Sequence, residues 1–212
     1  MISTFTTKEA AKAFRTGELP DGATVTGGLF SLRGDQSVTA LPKNLTVEGI
    51  FDLVNCTGLI ALPSGLTVGF GLNLCGCTGL TLLPEDLIVE GFINLGECRA
   101  LERLHDRPQF GGGVFIVDCE ALVALPANWT ITGDLEIHGA NGFTALPEGL
   151  HVTGMLKIMG QSQLTHLPKR WQVGGYLIVD GCNGLGTLDA DDVQMQTGAR
   201  FVRLYDPLIQ TE

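Results

Sequence analysis

Cys56, Cys77, Cys98 and Cys119 stand 21 residues apart, and Cys182 follows at a whole multiple of that step. Thiols repeated at one interval raise two chemistries, a ladder of metal-ligating thiolates and a set of disulfides. A metal column running the whole length would not tolerate Ala140 and Gln161, which take the same slot in two other repeats. The cysteines are therefore expected to be reduced, metal-free and buried, as in an intracellular protein. Cys75 differs, because its slot faces outward, and an exposed thiol is expected there. The histidines His105, His138, His151 and His166 fall in four different slots, and the carboxylates are scattered. No H-E-x-x-H, G-x-S-x-G, phosphate-loop or dinucleotide signature occurs. The expectation is no enzyme, no catalytic residue, no metal and no cofactor.

The interval that spaces the cysteines organises everything else. Stepping by 21 from Leu41 reaches Leu62, Leu83, Leu104, Leu125, Leu146, Leu167 and Leu188, and a step of 22 backwards reaches Leu19. Seven of these nine leucines precede a proline, out of nine prolines in the chain. A period near 20 residues means a solenoid, in which one unit cannot bury its apolar face and must stack on its neighbours. The consensus is L-P-x-x-L-x-V-x-G-x-L-x-L-x-x-C-x-x-L-x-x. Alternating pairs such as Phe51/Leu53, Leu72/Leu74, Ile93/Leu95 and Val114/Ile116 mark the main strands, with these residues inward. Leu95 is thus expected to face the core and Asn94 to face out. A shorter strand centres on Val47, Val68 and Val89, and glycine follows at 49, 91 and 112, where the chain turns. Nine coils at one strand spacing each would make a rod about 43 Å long.

Composition agrees. Hydrophobic residues are 44% of the 212, enough for a long core, and the 29 glycines are about double the usual ~7% share. A net charge of −10 disfavours nucleic-acid backbones and anionic membranes as direct partners and favours solubility or a basic partner. The N-terminus lacks the apolar core of a signal peptide, and no stretch is long enough to span a membrane. A cytoplasmic protein is expected, or one delivered into a host cell by a signal-less secretion system. Sequons occur at Asn44, Asn55 and Asn128, a coincidence the repeat largely explains because Thr46 and Thr130 share one slot. Without a secretion signal all three are expected to stay unglycosylated.

Three regions depart from the repeat. Residues 3–17 are expected to form an amphipathic helix, with Thr6 and Glu9 at capping-box spacing. In the fifth repeat His105 replaces proline, Pro108 takes a leucine slot and Gly111-Gly112-Gly113 widens the corner. Arg99, Arg103 and Arg107 cluster there among acids, as a solvated edge with a local kink or as a contact point. After Leu188 the period breaks, and 201–205 reads as a closing strand displaced by about four residues. The expected organisation is 1–18 as an N-terminal helical cap, 19–188 as about eight coils, and 189–212 as a C-terminal cap with that strand.

The segments Leu53–Cys56–Leu59 and Leu74–Cys77–Leu80 resemble the constant part of leucine-rich repeats. The L-P-x-x-L-x-V-x-G half resembles the variable part of short bacterial 21-residue repeats. The resemblance covers about Leu19 to Asp206. It implies a right-handed, mostly β solenoid with a parallel sheet on its concave face and a Cys slot serving backbone carbonyls of adjacent coils. Extended chain and short strands would form the convex side, since the repeated proline and the β-branched slots leave little room for helix.

Function is sought on the outward strand positions, which folding alone does not require to be apolar. They carry Phe92, Phe115, Val117, Met155, Met159, Tyr176 and Ile178, with Asp134 and Glu136 between the two groups and Tyr205 on the closing strand. Clustered exposed aromatics and methionines mark recognition surfaces, although β-propensity alone also favours such residues on sheets. These ten residues are the candidate partner-binding site of a non-enzymatic protein-interaction module, expected to be a monomer. The alternative is an acidic inhibitor or nucleic-acid mimic that sequesters a basic partner.

Overall fold

The computed structural model describes residues 3–140, 142–186 and 190–205. Over these residues the chain winds as a mostly parallel β-solenoid of about nine turns. One wall is a nine-stranded sheet in which consecutive coils pair in chain order: Leu29–Ser31, Ile50–Asp52, Gly71–Asn73, Phe92–Asn94, Val114–Val117, Leu135–His138, Leu156–Met159, Tyr176–Asp180 and Phe201–Tyr205. Every pair is parallel, with Ile50 opposite Leu29, Gly71 opposite Ile50 and Phe92 opposite Gly71.

Strand alternation sorts the side chains as expected. Phe30, Leu32, Phe51, Leu53, Leu72, Leu74, Ile93, Leu95, Val114, Ile116, Leu135 and Ile137 are all buried. Each such side chain taken from water contributes about 1.5–3 kcal/mol, which is what drives successive coils together. Phe30 and Phe51 stack face to face with centroids 4.8 Å apart, the spacing of the strands that carry them.

A second wall faces the first across this core. Thr4–Thr6, Thr24–Thr26, Thr46–Val47, Thr67–Val68, Ile88–Val89 and Gln109–Phe110 form a six-stranded sheet, and Thr130–Ile131, Leu150–Val152 and Trp171–Val173 form a three-stranded one. The break falls at the irregular fifth repeat. Glu90 N and Gly111 N donate to the carbonyls of Val68 and Val89, and Thr153 N donates to Ile131, but among the described residues Thr132 N makes no such bond. Two local changes coincide with the gap. Pro108 cannot make the turn hydrogen bond that Leu87 N makes to the Pro84 carbonyl. Across the gap, Trp129 meets Phe110 edge-on at 6.1 Å.

Corners repeat as strictly as strands. Gly34, Asn55, Gly76, Glu97, Asp118, Gly139, Gly160 and Gly181, one per coil, all have positive φ. The sequon asparagines share the reason: Asn44, Asn55 and Asn128 have φ of 53°, 60° and 54°. Asparagine tolerates the left-handed region better than most side-chain-bearing residues, so these positions are accounted for by turn geometry.

The termini differ from expectation in detail. Helix α1 spans Thr7–Arg15, shorter than 3–17, and the preceding Thr4–Thr6 is a strand paired with Thr24–Thr26. Thr6 starts the helix with the full capping box, its Oγ1 accepting from Glu9 N while Glu9 accepts from Thr6 N at 2.8 Å. Ala10 and Ala13 are buried, and α1 lies against Leu29–Ser31. At the other end Leu188 and Asp189 lie outside the described residues. Beyond the break in the period the chain forms helix α2 (Ala190–Thr197), and Phe201–Tyr205 adds to the nine-stranded sheet with Phe201 opposite Tyr176. That step is 25 residues, four more than the repeat. Among the described residues no helix is long and apolar enough to cross a membrane.

Candidate functional site

The outer side of the nine-stranded sheet divides into two halves with different chemistry. In the first four coils the middle outward position closes the following turn. Asp52 Oδ1, Asn73 Oδ1 and Asn94 Oδ1 accept from the backbone N–H of Val54, Cys75 and Gly96, at 3.2, 3.3 and 2.9 Å. Asp52 also accepts from Ser31 Oγ at 3.1 Å and Arg33 Nε at 2.9 Å. These contacts bury the carboxylate, and Val54 beside it is buried as well, so this part of the outward face is structural.

From the fifth coil onward that duty lapses, and Phe115, Glu136, Lys157 and Ile178 take the same position. Phe115, Val117, Met155, Met159 and Ile178 are half-buried, and Tyr176 is 56% exposed. Register sets Phe115 beside Glu136, Val117 beside His138, His138 beside Met159, and Lys157 beside Ile178. The two acids between the apolar groups are engaged within the fold. Lys157 Nζ donates to Glu136 Oε1 at 2.8 Å, and Met155 N donates to Asp134 Oδ1 at 2.7 Å. Phe92 lies at the border of the two halves, its ring over Gly71 on the neighbouring strand. Tyr205 belongs to the last strand, but its side chain lies outside the described residues.

The cysteine column is internal. Sγ of Cys56, Cys77, Cys98 and Cys119 donates to the carbonyls of Leu32, Leu53, Leu74 and Leu95 in the preceding coil, at 3.0 to 3.3 Å. Burial pushes these thiols up from the ordinary value, Cys77 and Cys119 to about 12 and Cys98 further still. Cys75 is half-buried rather than fully exposed, and burial followed by the Glu97 charge raises it too. No group of three His, Cys, Asp or Glu among the described residues is placed to hold a metal ion. The histidines are dispersed: His105 Nε2 meets the Leu83 carbonyl, His138 is exposed on the outer sheet face, and His166 Nδ1 lies 2.9 Å from Thr165 Oγ1 on an exposed corner.

Other exposed apolar side chains escaped the outward-strand reading because they sit off the long sheet. Phe70 is 65% exposed at the corner where neighbouring coils carry glycine, and Ile60, Leu82 and Val123 are exposed along another edge. The signal for Phe70 was present: Gly69-Phe70 replaces the Glu48-Gly49 and Glu90-Gly91 of adjacent repeats.

No family model, curated protein or solved structure matches the chain.

Proposed function

We propose that this solenoid is a leucine-rich-repeat protein of the short bacterial type, acting in the cytoplasm as a non-enzymatic protein-binding module. In this reading the nine-stranded sheet is its concave face and α1 is its N-terminal cap. The supporting observation is the change of chemistry along that sheet. Where the middle outward residue closes a turn it is polar. Where it has no such duty, Phe115 and Ile178 appear on either side of the mutually paired Glu136 and Lys157, flanked by Val117, Met155, Met159 and Tyr176. An apolar patch of this kind suits a partner surface that is itself apolar and excludes water on contact. The internal pairing of Glu136 with Lys157, and of Asp52 with Arg33, leaves no continuous row of free carboxylates on this face. The acidic-mimic reading is weaker for that reason.

The test compares capture from a lysate of the native host by the parent and by Phe115→Asp/Tyr176→Ala. A protein retained by the parent at high salt and lost by at least about tenfold with the double variant is the expected result, given what central apolar anchors contribute. A partner held equally by both, or displaced from the parent by heparin, would overturn the proposal.

A further inference from the structure

We propose a second docking strip, meeting the Phe115–Ile178 surface only at Phe92, in which Phe70 and its neighbours in the first four coils receive a basic amphipathic helix of a partner protein. Its starting point is what the corner demands of residue 70. At the equivalent positions 49 and 91 a Cβ would run into the backbone of the preceding coil, into Gly27 and Phe70 respectively. Coil three meets this demand one residue earlier. Gly69 packs against the Glu48 carbonyl, and position 70 is released to carry a side chain. The residue standing there is a phenylalanine with 65% of its surface in water, which the packing of the coil does not call for.

Phe70 stands beside an apolar row on the long sheet. Leu29, Ile50, Gly71 and Phe92 are opposite one another at the start of four consecutive strands, and Phe70 immediately precedes Gly71. Leu29 is 52% exposed, and the Phe92 ring covers Gly71, so the row is apolar from coil one to coil four. Strand spacing gives it a length of about 14 Å with one apolar group every ~4.8 Å. A helix offers an apolar group every turn, about 5.4 Å, so roughly ten helical residues match the row with little accumulated mismatch.

Charge selects the kind of helix. Glu48 and Glu90 occupy the position next to the glycine corner in the coils on either side of Phe70. Both are exposed, and neither makes an ion pair among the described residues. Two carboxylates bracketing an exposed aromatic, on a chain of net charge −10, complement a helix with Lys or Arg beside its apolar stripe.

The probes are three synthetic peptides of about 12 residues: a Leu/Lys amphipathic helix, a Leu/Glu helix, and a Val/Lys peptide with strand alternation. Binding to the intact protein is followed by fluorescence anisotropy at low and moderate salt. The Leu/Lys helix should bind most tightly. Phe70→Ser should weaken it by about tenfold with an unchanged melting temperature. Glu48→Gln/Glu90→Gln should weaken it and flatten its salt dependence, while Tyr176→Ala, on the other surface, should leave it unchanged. Equal affinity of the Phe70→Ser variant and the parent would overturn the proposal. So would tighter binding of either other peptide, loss with Tyr176→Ala, or no binding at all. Because Phe70 and Tyr176 are varied separately, failure here leaves the Phe115–Ile178 reading to its own test.

Discussion

The ring of Phe92 lies so close over Gly71 that a Cβ on Gly71 would strike its Cε1 and Cζ atoms. A glycine in the middle of a parallel sheet normally weakens it, for lack of a side chain to pack. Here the neighbouring aromatic supplies that cover. Gly71→Ala should therefore be more costly in the parent than in a Phe92→Ala background. A double-mutant cycle in urea should return a coupling of about 0.5–2 kcal/mol, and simple additivity would mean that the ring does not pack there in solution.

Leu95→Ala should cost about 2–5 kcal/mol, since Leu95 is fully buried between coils. For Asn94 the expectation changes with the structure. As a plain outward residue it would be nearly free to replace, but its Oδ1 holds Gly96 N at 2.9 Å. Asn94→Ala should cost about 1 kcal/mol, typical of a turn-closing hydrogen bond. Denaturant midpoints for both variants distinguish this from an idle surface site.

The cysteine column predicts a pH dependence with a definite sign. An ordinary thiol value is 9.0, whereas the folded protein keeps Cys77 and Cys119 protonated to about 12. Above pH 9 the unfolded chain releases these protons first, so folding stability should be full below that pH and fall as pH rises towards 12. Cys77→Ala should lower stability at neutral pH through the lost packing, yet show a shallower alkaline decline. In thiol-reagent kinetics Cys75, only half-buried, should react before any member of the column.

The break between the two short sheets should show in amide exchange. Thr153 N and Gly111 N are bonded to the preceding coil, whereas Thr132 N is not so bonded among the described residues. Thr132 should exchange markedly faster than either, although Val114–Val117 and Leu135–His138 pair without interruption on the other wall. Equal protection at all three amides would show that the second wall closes in solution.

The period made the inward residues legible. A Leu or Val every 21 positions can serve stacked coils only if each copy points the same way, and Phe51, Leu72 and Ile93 do so. The outward face was legible in phase but less so in role. Nothing in the spacing tells that Asn73 and Asn94 close turns, because the partner N–H is two residues on and becomes reachable only once the corner is built. Likewise the strand at Thr4–Thr6 has three residues, too few for a pattern, and is held by pairing to Thr24–Thr26. Tertiary pairing of this kind leaves little local trace.

The constant step has a consequence for how such a chain changes length. Ile50 and Gly71, one step apart, occupy equivalent places a single strand spacing apart. Loss or duplication of one repeat's worth of codons would thus return the backbone to a matching end, with every later side chain still facing the same way. A shift by one residue would reverse them all. Unequal recombination could lengthen or shorten this protein and move the two proposed surfaces nearer or further apart, without redesigning either.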